Sequence, residues 1–201
     1  MRIHYVISLL LLGLIASCEH DSYETGDGNY SRLTTDYVTV DVKECRVQSI
    51  VTDDDVALDL GKGMTLDIQP KDTMLRWLLY YKGTEIVGRN TMLLLKPLGK
   101  SMILETKTDP VTVTSVWMAG NRKYLNMRLG LKVGNANGSK HGVALIKDKE
   151  EADVVYYTLY HDQSDIPEYY TQEYFFTVKA PENKEIDLTI NTYNGTWHKR
   201  F

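Results

Sequence analysis

The stretch Leu125-Asn126-Met127-Arg128-Leu129-Gly130-Leu131-Lys132-Val133 places an apolar side chain at every second position. Successive side chains of a β-strand point to opposite faces of its sheet, so this period of two is typical of a half-buried strand. The pattern predicts that the apolar set faces a core and that Asn126, Arg128 and Lys132 face solvent. Because the neighbouring segments repeat this pattern, it decides the fold class.

The segments that follow are further strands of the same kind. A turn is predicted at residues 134–138, which are Gly, Asn, Ala, Asn and Gly, and residues 142–146 return as the partner strand. Three more apolar faces are formed by Val155, Tyr157 and Leu159, by Tyr174, Phe176 and Val178, and by Ile186, Leu188 and Ile190. About five to seven antiparallel strands with one wet face predict a β-sandwich over residues 109–201.

Residues 36–108 show the same period in shorter segments. Val38, Val40 and Val42 alternate with polar residues, and half-buried strands are also predicted at residues 56–60 and 64–68. About six short strands separated by tight turns favour a small closed barrel, because closure removes exposed strand edges.

Two stretches of this first part are apolar at nearly every position. They are residues 74–81 and 91–95, and such continuous runs are typical of strands that are covered on both faces. The whole mature chain is therefore predicted to be all-β, with a small barrel followed by a sandwich.

The N-terminal segment is an export signal that ends in a lipidation motif. Arg2 and His4 precede an apolar run over residues 5–15, which is shorter than the about 20 residues that a membrane-spanning helix needs. The segment Leu14-Ile15-Ala16-Ser17-Cys18 resembles the bacterial lipobox, in which the cysteine is diacylated and becomes the new N-terminus. We expect residues 1–17 to be removed as a signal peptide and the acyl chains on Cys18 to anchor the protein stably.

Residues 18–35 form an acidic tether. Four carboxylates oppose one arginine, and the turn-forming sequence has no apolar periodicity. Acidic residues directly after a lipidated cysteine resemble the signal that sends some lipoproteins of Gram-negative gut anaerobes to the cell surface, although a solvated linker can be acidic without that role. We predict a cell-envelope protein that is lipid-anchored to the outer membrane, with surface exposure left open.

A family resemblance follows from four motifs in a fixed order. They are Lys71-Asp72-Thr73-Met74-Leu75, Asp109-Pro110-Val111, Val116-Trp117-Met118-Ala119-Gly120 and Tyr124-Leu125-Asn126-Met127, followed by His141 before an apolar strand. Their order resembles the NigD-like family of lipoproteins. The resemblance implies an N-terminal OB-type barrel at residues 36–108 and a C-terminal β-sandwich at residues 109–201. It implies no catalytic residues.

No catalytic or cofactor motif stands out in the chain. The HExxH, GxSxG, GxGxxG and P-loop patterns do not occur, so no catalytic residue and no cofactor are predicted. His141, His161 and His198 are scattered, and strand-end or surface roles are expected for them. The alternative is an envelope hydrolase with an unrecognised site, in which carboxylates such as Asp162, Asp165 and Glu168 supply an acid and a base.

No metal site and no disulfide are predicted. Asp53-Asp54-Asp55 could offer oxygens to Ca²⁺, but neighbouring strand residues point to opposite sides and no EF-hand spacing follows. A solvated hairpin turn is therefore expected at these three residues. Once Cys18 is acylated only Cys45 remains, so no intrachain disulfide can form.

The most promising surface is an aromatic run between residues 156 and 176. Tyr156 and Tyr160 point outward if Val155, Tyr157 and Leu159 face the core, and Tyr169 and Tyr170 follow after a polar segment. Exposed tyrosines stack on sugars or anchor protein partners. These four tyrosines are the candidate binding surface, although they could also only cover the rim of the sandwich.

Charge argues against a nucleic-acid partner. Residues 36–108 carry ten basic and eleven acidic side chains, and residues 109–201 carry eleven and twelve. Phosphate binding needs a cationic groove, so no nucleic acid is expected even on an OB-type barrel. The sequence predicts a non-catalytic binding or scaffold lipoprotein that contacts the membrane through its anchor and meets an envelope protein or a glycan.

Overall fold

Strands account for nearly all regular structure in the described chain. A computed structural model describes residues 33–102, 105–135 and 140–201, so the predicted signal peptide, Cys18 and most of the tether lie outside the described residues. The elements are β1 (Thr34–Lys43), β2 (Arg46–Thr52), β3 (Ala57–Leu58), β4 (Thr73–Lys82), β5 (Glu85–Leu95), β6 (Leu98–Gly99), a 3₁₀ turn (Lys100–Met102), β7 (Thr112–Met118), β8 (Tyr124–Val133), β9 (Gly142–Glu150), β10 (Val154–Asp162), β11 (Tyr170–Lys179), β12 (Glu185–Thr192) and β13 (Gly195–Arg200). The predicted all-β fold class is confirmed.

The strands form two mixed sheets. Sheet I has eight strands in the order β3-β2-β1-β4-β5-β11-β8-β7, and sheet II has five in the order β13-β12-β10-β9-β6. Most neighbours are antiparallel, as predicted, but β5 with β11, β10 with β12 and β6 with β9 are parallel pairs. Two of these parallel pairs, β5 with β11 and β6 with β9, join strands that lie far apart in the chain.

Sheet I combines strands from both predicted domains. β5 pairs with β4 over Glu85–Met92 and with β11 over only Leu93–Leu95. β11 pairs with β8 over its full length. The domain boundary near residue 108 and the OB-type closure of the first part stay predictions.

Two apolar cores lie on sheet I. The larger core fills the space between sheets I and II and takes side chains from β8, β9, β10, β11 and β12. It includes the predicted set Leu125, Met127, Leu129 and Leu131, all of which are at most 2% exposed. The smaller core lies on β1, β2 and β4 around Trp77.

The strand predicted at residues 56–60 is shorter than expected, and the strand predicted at residues 64–68 is wrong. Only Ala57–Leu58 forms a strand, and residues 59–72 are irregular apart from an isolated bridge at Thr65. Their apolar residues still serve burial, because Leu60 and Leu66 cover the smaller core. A period of two therefore identified some of the buried residues in a segment that mostly does not pair as a strand, although Val56 is 55% exposed.

No helix among the described residues is long and apolar enough to cross a membrane.

Candidate functional site

A cleft opens between two central strands of sheet I. β5 and β11 run parallel and pair only over the last three residues of β5. Toward the start of both strands they separate, so residues 87–92 of β5 and residues 170–175 of β11 face each other without pairing in the described part of the chain. These two facing segments are called the splayed cleft below.

Two leucines at the narrow end of the splayed cleft are exposed. Leu93 is 51% and Leu94 is 41% exposed, although β5 lies in the middle of an eight-stranded sheet. The prediction that residues 91–95 are covered on both faces is therefore wrong. Leu93 and Leu94 pair through their backbones with Phe176 and Thr177 of β11, but a neighbouring strand in the same sheet does not cover its faces, so both side chains stay exposed.

A half-open cavity of about 450 Å³ lies beside the splayed cleft, on the face of sheet I toward sheet II. It is called the histidine pocket, and its principal lining residues are Leu93, Leu131, His141, Tyr170, Tyr174 and Phe176. Alternate residues of β11 line it because side chains of a strand point to opposite faces. Its size and mainly apolar walls are typical of ligand-binding sites, which hold about 300–1,000 Å³.

Two histidines meet in the wall of the histidine pocket. Nδ1 of His141 lies 3.1 Å from Nε2 of His161, and Nδ1 of His161 lies 3.0 Å from the backbone carbonyl oxygen of Asp109. A carbonyl oxygen can only accept, so His161 donates to it from Nδ1. In the neutral pair, Nε2 of His161 then accepts from Nδ1 of His141.

Burial favours the neutral form of His141 in this pair. Burial and the neighbouring His161 lower the pKa of His141, and the backbone carbonyl of Lys132 offsets the shift in part. Nε2 of His141 is buried and has no hydrogen-bond partner of acceptable geometry among the described residues. The Lys132 carbonyl instead accepts a 2.8 Å hydrogen bond from Nε2 of Gln163.

The pair continues into a row of aromatic rings. The rings of His161 and His141 stack with centroids 5.2 Å apart, His141 meets Tyr174 edge-on at 6.4 Å, and Tyr174 lies 6.4 Å from Phe176. His141, Tyr174 and Phe176 line the pocket as a weakly polar wall, whereas His161 is fully buried behind His141. An apolar or aromatic group can pack against this wall.

One formal charge lines the histidine pocket. Lys140 is exposed, and no other charged side chain lines the cavity among the described residues. No carboxylate of the described chain lies within salt-bridge distance of its ammonium group. The cavity is thus apolar with a single positive charge.

The four predicted surface tyrosines lie on two different sheets. Tyr170 lines the histidine pocket and is 59% exposed, and Tyr169 beside it is 76% exposed. Tyr156 and Tyr160 lie on the outer face of sheet II, since Val155, Tyr157 and Leu159 are buried in the core as expected. The predicted surface is therefore two separate pairs, and only the Tyr169–Tyr170 pair adjoins the cavity.

The Tyr156 ring is already occupied by neighbours. The ammonium of Lys149 lies 3.9 Å from its ring centre, and its hydroxyl donates to Glu151 at 3.2 Å. Tyr160 lines a shallow depression with Lys107 and Asp162. A ligand at Tyr156 would have to displace the lysine.

The carboxylates of the hydrolase alternative have separate partners. Lys107 donates to Asp162 at 2.9 Å, and this hydrogen bond holds the pKa of Asp162 below its usual range. Glu168 accepts from the hydroxyl of Tyr193 at 3.4 Å, and Asp165 is exposed. The structure does not bring Asp162 and Glu168 together through a shared partner.

Asp53 is not part of a solvated turn. It is buried, and its carboxylate accepts hydrogen bonds from both terminal nitrogens of Arg76 and from Nδ2 of Asn126. Asn126 is fully buried as well, which corrects the prediction that it faces solvent. Asp54 and Asp55 stay exposed, and Asp55 pairs with Lys123 at 2.7 Å.

The histidine pair was missed because the two residues were considered separately. β9 and β10 are antiparallel, and His161 pairs in register with Val143. His141 lies two residues before Val143, which is the diagonal position on the same face of the sheet. Counting register across the predicted strands at residues 142–146 and 155–159 would have brought the two rings together.

The fold and site define a class of two-sheet all-β proteins in which a half-open apolar pocket lies between the sheets. The chain belongs to the NigD-like family, since the family model of the NigD-like C-terminal beta sandwich domain matches residues 96–200. This confirms the resemblance found in the sequence motifs. No curated protein matches the chain in sequence.

Several solved structures share the fold. A NigD-like immunity protein from Bacteroides caccae is 22% identical with a TM-score of 0.59, and the match covers 87% of this chain and 94% of that one. A DUF1344 protein of unknown function from Bacteroides vulgatus is 14% identical, with a TM-score of 0.60 and coverage of 84% and 90%. A candidate lipoprotein from Bacteroides fragilis is 12% identical, with a TM-score of 0.54 and coverage of 85% and 96%. At these identities the likeness concerns the fold alone.

Proposed function

We propose that this protein is a lipid-anchored cell-envelope protein that acts by binding, and that the histidine pocket receives an apolar or aromatic group of its partner. The observation that carries the proposal is the combination of an apolar cavity of about 450 Å³ with exposed rim residues Leu93 and Tyr170. Exposed apolar side chains around a preformed cavity are typical of a binding site.

The chemistry of the walls supports binding. The rings of His141, Tyr174 and Phe176, which line the pocket, offer stacking contacts, and burial favours neutral His141. A neutral, weakly polar wall costs little to desolvate when an apolar group displaces water from it. The bound group is therefore expected to be an aliphatic or aromatic side chain, or a small molecule of that kind.

The anchor at Cys18 and the acidic tether support an envelope location. One structural relative is described as a candidate lipoprotein, which is compatible with this location. Metabolic labelling with an alkyne fatty acid should tag the wild-type protein and leave Cys18→Ala untagged. Equal labelling of both would overturn the anchor. Protease added to intact cells distinguishes the extracellular from the periplasmic face of the outer membrane. Degradation before the outer membrane is opened supports surface display.

The pocket is tested with two neighbouring substitutions. Leu93→Trp fills the mouth of the histidine pocket, whereas Leu94→Trp adds the same ring to the opposite face of β5 and serves as the control. Both leucines are exposed, so neither change disturbs a core. Ligand-observed NMR with indole and naphthol fragments on the mature chain, residues 18–201, measures binding.

We expect the fragments to bind the wild type and Leu94→Trp equally and to bind Leu93→Trp at least about tenfold more weakly. Equal binding to all three proteins, or no binding to the wild type, would overturn the pocket as the site. One relative is described as an immunity protein. Neutralising a toxic partner by holding it is one form that binding through this pocket could take.

An envelope hydrolase is the alternative. The observation in its favour is that His161, itself held by the Asp109 carbonyl, orients His141, as an orienting group holds a catalytic base. A panel of esterase, glycosidase and peptidase substrates tests this alternative. Turnover that His141→Asn abolishes would support it, and no turnover across the panel would end it.

A further inference from the structure

We infer that the splayed cleft accepts an extended peptide segment of the partner, which adds as a strand between β5 and β11, places apolar side chains in the histidine pocket and directs an acidic group to Lys140. This inference rests on the proposed function and names the partner's chemistry. It follows from the backbone edges, the side-chain directions and the charge of the cleft.

The backbone edges come first. Residues 170–175 of β11 pair with β8 on one side, and on the side facing β5 they have no strand partner within the described residues. The facing residues 87–92 of β5 pair only with β4. Unpaired N–H and C=O groups of a strand edge are a template for another strand, and here two such edges converge inside one sheet.

The side chains of the two strand edges lie alternately on the two faces of the sheet. Tyr170, Gln172 and Tyr174 of β11 line the histidine pocket together with Leu93 of β5, whereas Glu173 and Phe175 lie on the opposite face. A strand added between them has alternate side chains on the same two faces. Its apolar residues would therefore enter the pocket at every second position.

Space is available on both faces of the cleft. Besides the histidine pocket, a cavity of about 200 Å³ lies in the gap between the two strands, lined by Asn90, Thr91 and Leu93 of β5 and by Glu173, Tyr174 and Phe175 of β11, and it reaches the face that carries Glu173 and Phe175. The Glu173 carboxylate is not available to pair with a positive charge of the partner, since Arg128 and Thr114 already donate hydrogen bonds to it. Small polar residues of an added strand fit this second face.

Charge completes the description of the partner. Lys140 is the single charged residue that lines the histidine pocket among the described residues. A carboxylate at one end of the peptide would pair with its exposed ammonium group, which favours an acidic over a basic end. The chain's own tether is acidic but lacks alternating apolar residues, so a partner peptide fits the cleft better.

The probe is a library of acetylated, fluorescein-labelled peptides of about seven residues, enough to span the open edge at roughly 3.3 Å per residue. Val, Leu or Phe alternates with Thr, and the last residue is Glu or Lys. Fluorescence anisotropy measures binding to the mature chain and to Leu93→Trp, Leu94→Trp and Lys140→Met. The best peptide is also made in two N-methylated versions. One carries N-methyl groups on the odd-numbered backbone nitrogens and the other on the even-numbered ones.

We expect peptides ending in Glu to bind at least about tenfold more tightly than the same peptides ending in Lys, with this preference lost in Lys140→Met. Leu93→Trp should weaken binding about tenfold, and Leu94→Trp should not. At least one of the two N-methylated versions should not bind, because N-methylation removes strand hydrogen bonds while keeping every side chain.

Three results would overturn the inference while leaving the pocket intact. They are indole binding without peptide binding, equal affinity of the N-methylated and unmethylated peptides, and equal affinity of the Glu and Lys series. If a peptide of residues 18–35 instead binds more tightly than any library member, the occupant is the protein's own tether, and the inference of a partner strand is wrong. Loss of indole binding as well would overturn the proposed function itself.

Discussion

Arg76 and Asp53 form a bidentate ion pair inside sheet I, with Nη1 to Oδ1 at 2.6 Å and Nη2 to Oδ2 at 2.9 Å. Asn126 of β8 joins the pair by donating to Asp53 at 2.7 Å and accepting from Arg76 at 3.2 Å. The Tyr124 ring lies 4.1 Å from the guanidinium carbon. The pair thus links β4 and the end of β2 to β8, which come from the two predicted domains.

Breaking this ion pair should strongly destabilise the protein. Asp53→Ala leaves the fully buried guanidinium of Arg76 without its counter-charge, and removal of one partner of a buried pair costs about 3–5 kcal/mol. Urea unfolding of the mature chain measures the loss of free energy. Asp55→Asn is the control two residues away, and it should change stability little because its pair with Lys123 is exposed and asparagine tolerates the positive φ of this position. Equal losses in both variants would contradict the prediction.

The histidine pair should make stability depend on pH below about 6.5. The folded-state pKa of His141 is lowered, so the unfolded chain binds a proton more readily than the folded chain below the ordinary value of about 6.5. The contribution of neutral His141 is fully present above that value and is lost as the pH falls through the lower folded-state pKa.

His141→Asn tests this dependence, since its amide can still donate to His161 but does not titrate. The difference in unfolding free energy between wild type and His141→Asn should fall as the pH is lowered through this window. The lowered pKa values of Glu150, Asp162 and Glu173 keep these carboxylates ionised at the pH where the histidine dependence begins. A difference that is flat, or that rises toward acid pH, would be evidence against a buried neutral His141.

The hydroxyl of Tyr81 should ionise unusually late. It donates to Asp36 at 2.7 Å, and this hydrogen bond, followed by burial, raises the pKa of Tyr81 to about 12. An alkaline ultraviolet titration of the wild type minus Tyr81→Phe isolates this residue from the other tyrosines. Asp36→Asn should move its ionisation toward the ordinary value of about 10, because the amide keeps the contact but not the charge. Ionisation of Tyr81 at the ordinary value in the wild type would rule out the bond to Asp36.

The two tyrosine pairs should behave differently in binding. Tyr170→Ala removes a wall of the histidine pocket and should weaken indole binding about tenfold, whereas Tyr156→Ala lies on sheet II and should leave it unchanged. The same NMR assay measures both. If Tyr156→Ala and Tyr170→Ala weaken binding to the same extent, the effect is not local to the pocket.

The sequence predicted which side chains are buried better than it predicted which residues contact each other. The strict alternation of β8 and β10 identified Leu125, Met127, Tyr157 and Leu159 as core residues, because a period of two depends only on the local backbone. Asn126 looked solvent-facing for the same reason. Its burial depends on Arg76 and Asp53, which lie 50 and 73 residues away in the chain.

The splayed cleft lay beyond sequence reasoning for a related reason. Residues 91–95 read as a doubly covered strand because every side chain but one is apolar. Whether β11 stays beside β5 depends on strand pairs that form across more than 80 positions of the chain, such as Leu93 with Phe176. No local pattern encodes where two such strands part.

The position of β11 also bears on when sheet I can form. β11 is built from residues 170–179, yet it lies between β5 and β8 in the sheet order. The earlier strands cannot complete sheet I until this late segment has been synthesised. A chain that is still being synthesised thus lacks a central strand of sheet I until most of its residues have been added, so β5 and β8 become parts of one sheet only at a late stage.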